Sequence, residues 1–393
     1  MLTSISIILL FGLLAGTIFN KMKLPSLIGY VLIGIIISPY AFNLIDDSLL
    51  NISSDIRQIA LVIILTRAGL SLNIKDLIKV GSPAILMSFV PATIEILGTI
   101  VLAPMLLNVS ILEAALMGSV LAAVSPAVVV PRMIKLIEEG YGTNKSIPQL
   151  ILAGTSVDDV FVIVVFTSLT SLLTTGNISI ISFINIPISI LLGSLLGIIT
   201  GYGLIIFYKK FHIRDSIKLL ITLSISFLLL EIETQLKTIL PISGLIAIMV
   251  LGMTIKLKYE TLAIRLQTKY NKCWLCAEVF LFVLVGVTVN LKYIETAGLA
   301  AVCLILCALI FRMIGVFLSL LKTNLNNKER IFSMVAYTPK ATVQAAIGTI
   351  PLTLGLECGN IICTVAVLSI LITAPFGAIC IDNLYKKLLI KTQ

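Results

Sequence analysis

About thirteen stretches of this chain are apolar over the length needed to cross a bilayer. They run approximately 3–19, 24–40, 56–71, 80–106, 111–137, 148–174, 181–208, 217–236, 239–255, 275–290, 297–321, 329–353 and 359–381. In lipid each backbone N–H and C=O must find its partner inside the segment, so runs of this kind are helices. With 59% hydrophobic and 12% charged residues, a soluble domain is excluded. The fold class is an all-α polytopic membrane protein.

The basic residues orient it. Alternating the loops between two sides places about 22 Lys and Arg on one side, including Lys21, Lys23, Lys209, Lys210, Lys322 and Lys386, and about two, Lys237 and Lys292, on the other. The net charge of +9 is therefore a positive-inside bias, not a nucleic-acid surface. The expected topology has the N-terminus outside and the C-terminus in the cytoplasm. No cleavable leader is expected, because the first segment lacks a basic start and Lys21 and Lys23 follow it. High Ile, Lys and Asn usage fits a bacterial inner membrane.

Against that apolar background, Asp158 and Asp159 stand side by side in the segment from Pro148 to Thr174. At ~1.5 Å per residue Asp158 lies ~15 Å in from Pro148, near the middle of a ~30 Å hydrocarbon layer. One carboxylate there costs about 3 kcal/mol to insert, and two adjacent ones repel. Packing has no use for such a pair; an ion or proton site does.

Two segments carry proline where a straight helix has no place for it. One reads Ala123-Val124-Ser125-Pro126-Ala127-Val128-Val129-Val130-Pro131; the other reads Ala336-Tyr337-Thr338-Pro339-Lys340-Ala341-Thr342-Val343. The first is the fifth crossing and the second the twelfth, so they run in opposite directions. Matched interruptions of opposite sense predict an inverted repeat around a midplane site, with repeat one over about 1–174, a linker helix over about 181–208 and repeat two over about 217–385. The same offset of seven segments relates Glu95 in Pro91–Gly98 to Arg312 in Phe311–Gly315. Related positions near a two-fold axis approach each other, so Glu95 and Arg312 are expected to form a structural ion pair that neutralises both. No acidic pair stands at the position equivalent to the aspartates, near 371–376. The expected ion site is thus asymmetric on a symmetric scaffold.

The strings Val124–Pro131, Gly154-Thr-Ser-Val-Asp-Asp159 and Thr338–Gly348, with Arg67-Ala-Gly-Leu70, resemble the cation:proton antiporters, and within them the double-aspartate sodium/proton antiporters. The resemblance covers nearly the whole chain. It implies a homodimer with scaffold helices over about 1–71 and 181–290 and a mobile core over about 80–174 and 297–385, in which two broken helices cross beside the aspartates. It implies that Asp159 is the ion-binding carboxylate and Asp158 its neighbour. Ser125, Thr155 and Thr338 become candidate oxygen ligands or supporting groups, and Lys340 a charge-compensating group in the second break. Many voltage-driven members carry a lysine where this chain has Arg312; arginine stays protonated, so that position supplies no exchangeable proton.

The residue chemistry leads to exchange by its own route. A hard carboxylate site holds a proton or a small alkali cation such as Na⁺ or Li⁺, and the two compete. No cofactor is expected; the partners are the cation, the proton, the bilayer and a second copy. If Glu95 offsets Arg312 and Lys340 offsets one aspartate, a single negative charge remains, which gives 1:1 electroneutral exchange. Deprotonation of Lys340 on cation entry would instead give a voltage-driven cycle. The alternatives in substrate are a K⁺/H⁺ antiporter and a sodium-coupled organic-anion symporter on the same scaffold. An enzyme is not expected: intramembrane aspartyl proteolysis needs its carboxylates on separate helices, and consecutive residues point ~100° apart.

Other features have plainer readings. Arg67 is close enough to a helix end to snorkel, Glu113 and Glu278 suit helix starts, and Tyr270, Trp274 and Tyr293 suit the membrane interface. His212 in a basic loop is a candidate pH-sensitive group, and Cys273-x-x-Cys276 lacks partners for a metal.

Overall fold

The fold was obtained as a computed structural model that describes residues 1–71, 81–175, 180–211, 213–236, 240 and 242–391, without the side chains of 156, 175, 180–187 and 292–297. His212 and Lys237 lie outside the described residues, as does the side chain of Tyr293. Helices occupy all thirteen apolar stretches, and eight of those described are long and apolar enough to cross a membrane. The fold is that of a many-helix membrane protein.

Two units emerge from the packing. The first comprises Met1–Ser54, Ile74–Val162 and Val279–Gln393; the second comprises Asp55–Asn73 and Ile163–Glu278. Met1–Ser54 falls in the first unit with Val279–Gln393, and its close contacts there run from Gly12 to Val279 and from Gly34 to Gly286, residues of the 181–290 stretch with which the sequence groups it.

In the first unit the most extensive helix pairing joins Val90–Leu107 to Leu291–Ser319, the helices that carry Glu95 and Arg312. Each charged residue is followed three positions later by a glycine, Gly98 and Gly315. A Cβ on Gly98 would lie 2.4 Å from the Phe311 ring, and one on Gly315 would lie 2.5 Å from Pro91 Cα. With nothing but lipid as the alternative to protein, close backbone approach supplies the attraction that burial supplies in water.

Both proline segments break. The first forms Ile111–Leu121 and Pro126–Glu139; the second forms Asn327–Ala336 and Thr342–Ile347. Each proline ends the preceding turn because it lacks an N–H and constrains the residue before it. Both broken helices start with a capping box, Ser110 with Glu113 and Asn326 with Glu329. The repeat therefore extends to the helix ends as well as to the interruptions. Glu329 also accepts a 2.8 Å ion pair from Lys145. Gly140, at φ 79°, closes Pro126–Glu139 with a left-handed turn that a side chain would oppose.

In the second unit Ile180–Lys210 packs against Gly244–Lys258, and Ser53–Ser71 crosses the latter where Gly69 meets Gly252. Two of the plainer readings are corrected here. Glu278 sits in the middle of Glu260–Val287, not at a helix start, because the stretch after Tyr259 is already helical. Tyr270 and Trp274 are consequently carried inward and are buried, not interfacial. Arg67 stacks over Trp274 at 5.8 Å and stays partly exposed.

Candidate ion-binding site

The site lies wholly within the first unit, where the two helix breaks meet the helix Ile147–Thr175. The breaks bond directly to each other: the Ser125 amide donates to the Pro339 carbonyl at 2.8 Å. Interrupting two helices frees carbonyls that lipid cannot satisfy, and here cationic and amide side chains take them. Lys340 Nζ donates to Leu121 O at 2.5 Å, Arg312 Nη1 to Ala122 O, and Gln344 Nε2 to Leu121 O and Ala123 O at 3.1 and 2.8 Å. Arg312 Nε donates to Tyr337 O in the second break at 2.8 Å. The Lys340 amide is held by Thr373 Oγ1 at 2.9 Å.

The charged groups form a chain of ion pairs. Arg312 Nη1 lies 3.1 Å from Glu95 Oε2, so the two related positions do meet. Arg312 also reaches Asp158 Oδ2 with Nη2 at 2.8 Å, a contact the repeat argument does not contain. Asp158 Oδ2 further accepts the Val124 amide at 2.9 Å. Lys340 Nζ contacts Glu95 Oε1 at 2.6 Å. The sequence reading set Lys340 against an aspartate; the structure sets it against Glu95, because the second break delivers the lysine to the Glu95 side of the arginine. Glu95, Asp158, Arg312 and Lys340 are all fully buried, and their formal charges cancel.

Asp159 stands apart from this chain. It is 8% exposed, and among the described residues no lysine or arginine pairs with it. Asp158 Oδ1, Asp159 Oδ1, Ser125 Oγ and the Tyr337 hydroxyl are buried without a hydrogen-bond partner among the described residues. Buried oxygens left this way are costly unless a cation or proton visits them. Thr155 and Thr338 spend their hydroxyl protons on helix carbonyls, Ile151 O and Val335 O, at 2.9 and 2.8 Å. Their oxygens keep lone pairs but not donors. Pro126 and Pro339 open the breaks, whereas Pro131 lies inside the continuous helix Pro126–Glu139.

Comparison with known proteins settles the family. The family model described as sodium/hydrogen exchanger, transmembrane, matches residues 5–386. The chain belongs to the sodium/hydrogen exchanger family. Relatives in that family include human sodium/hydrogen exchanger 9B2, 32% identical over 98% of this chain and 75% of its own length. Human sodium/hydrogen exchanger 9B1 is 34% identical over 93% of this chain and 73% of its own length. In fold the exchanger chain is similar to the sodium proton antiporter MjNhaP1 from Methanocaldococcus jannaschii, with a TM-score of 0.84 at 21% identity, covering 98% of this chain and 97% of that one.

Sequence reasoning left two site residues without a part. Gln344 lies within the Thr338–Gly348 string with no role of its own there, yet its amide holds two freed carbonyls of the opposite break. Tyr337 went unassigned, although its position next to the break residue Thr338 was a signal.

Proposed function

We propose that this chain exchanges Na⁺ or Li⁺ for H⁺ by alternating access, with cation and proton competing for Asp159 beside Asp158. The observation that carries this reading is the pairing pattern. Two carboxylates and two cationic groups neutralise one another, and the third carboxylate is left over. A group so placed binds one positive charge at a time, H⁺ or alkali cation, because an unneutralised carboxylate in the membrane is heavily penalised.

Lys340 is engaged by Glu95 and by Leu121 O, which favours its remaining a fixed charge. Exchange is then one for one and electroneutral. Asp158, held by Arg312 and the Val124 amide, positions the site, and Ser125, Thr155 and Thr338 offer oxygens to a dehydrated ion. The family and the multi-pass architecture fit a double-aspartate antiporter of the inner membrane, N-terminus outside, working as a homodimer.

The test is a cation series in proteoliposomes with a trapped pH-sensitive dye. Na⁺ or Li⁺ pulses on the outside should acidify the exterior and alkalinise the lumen. A response to K⁺ alone would make the chain a K⁺/H⁺ antiporter, and Na⁺ uptake without counter-moving protons would turn the search to an organic-anion co-substrate.

A further inference from the structure

Tyr337 is a large polar side chain at the ion site that the pairing scheme leaves out. It is fully buried, and its hydroxyl has no hydrogen-bond partner among the described residues. Its ring lies under the Arg312 guanidinium, 5.4 Å from Cζ, and its carbonyl accepts from Arg312 Nε. The first contact holds the ring and the second holds the backbone that carries it, while the hydroxyl has no bond of its own.

Gly154 marks where the hydroxyl points. A Cβ on Gly154 would lie 2.0 Å from the Tyr337 hydroxyl oxygen. Only the absence of a side chain admits the phenol there. Gly154 precedes Asp158 by four residues and Asp159 by five, so it occupies the face of the helix that Asp158 continues. Helical side chains lean toward the N-terminus, which tilts the Asp158 carboxyl back over that turn. The free Asp158 Oδ1 and the free phenol are thus two buried, unpartnered oxygens on one helical face.

We propose that the Tyr337 hydroxyl is a further neutral oxygen ligand for the cation held by the aspartates, and that Tyr337 and Gly154 together set how well a given alkali ion fits. This rests on the exchange reading above. A phenol on a rigid ring offers its oxygen at a fixed distance and carries no charge, so it favours a bare ion of one size without altering the count of one positive charge bound. When a proton replaces the cation, the phenol O–H is free to donate to a carboxylate oxygen instead, so neither state leaves it unsatisfied.

The experiment compares wild type with Tyr337→Phe in proteoliposomes, reading KM and maximal rate for Na⁺, Li⁺ and K⁺. Phenylalanine keeps the ring over Arg312 and removes only the oxygen. The expected result is a KM raised about tenfold for at least one cation, unequally across the series, with the maximal rate within about twofold; one lost hydrogen-bond-like contact to a charge is of that order. Gly154→Ala should raise KM as well, by pushing the phenol aside. Its effect should shrink in the Tyr337→Phe background, where the colliding oxygen is gone. Unchanged KM values for every cation in Tyr337→Phe, with wild type active, would overturn the proposal alone. Absence of cation-driven proton movement in wild type would instead overturn the exchange reading on which it stands.

Discussion

At the residue scale the centre of the molecule is Arg312, whose planar fork serves two carboxylates and two freed carbonyls at once. Lysine, a compact point charge, cannot span them. Replacing Arg312 with alanine leaves buried carboxylates uncompensated and should cost about 3–5 kcal/mol, read as a lowered unfolding midpoint in detergent. A charge swap, Glu95→Arg with Arg312→Glu, separates two accounts. If the pair acted alone, the swap would restore transport; because position 312 also faces Asp158 and carbonyl oxygens, we expect the swapped protein to stay inactive. The approach of Glu95 to Arg312 was legible in the sequence, since the seven-segment offset needs only the periodicity of the spans. The contacts of Arg312 with Asp158 and of Lys340 with Glu95 were not. They depend on the azimuth of each helix about its axis, and in a span apolar on all sides no hydrophobic face reports it.

At the scale of elements, the interruptions at Pro126 and Pro339 were legible because a proline removes a donor and constrains the residue before it. Yet Pro104, Pro131 and Pro375 lie inside continuous helices, so proline alone does not mark a break. The capping boxes were equally readable as Ser110-x-x-Glu113 and Asn326-x-x-Glu329, and they add a second line of symmetry to the repeat. Helix lengths were less legible: Glu260–Val287 begins well before its apolar portion, because polar helix formers extend a helix beyond the apolar span and hydropathy marks only that span. The glycines at the Glu95 and Arg312 helices make a sharp prediction. Gly315→Ala sets Cβ 2.5 Å from backbone, which cannot yield as a side-chain tip can, so it should lower the melting temperature and activity together. Gly203, with nothing within 4 Å of its would-be Cβ, should tolerate alanine with stability unchanged or slightly raised. Equal behaviour of the two variants would show that the close crossing is not what holds these helices.

At the scale of the whole molecule the account is one of charge. Four buried charges cancel within the first unit; in the proposed cycle the transported positive charge cancels the fifth, which would make the loaded site neutral whether it carries a proton or an alkali ion. The transport rate in proteoliposomes should therefore not depend on an imposed membrane potential. A rate that rises with potential would mean that Lys340 releases a proton during the cycle. The same arithmetic makes the two aspartates unequal: Asp158 is tied to Arg312 and the Val124 amide, and Asp159 is not. The most direct measurement is Na⁺-driven proton movement in proteoliposomes for wild type, Asp159→Asn and Asp158→Asn, each with its melting temperature. The account predicts that Asp159→Asn abolishes exchange while the protein stays as stable as wild type or more so, and that Asp158→Asn loses stability. Exchange that survives in Asp159→Asn would contradict it and place the competition between cation and proton elsewhere.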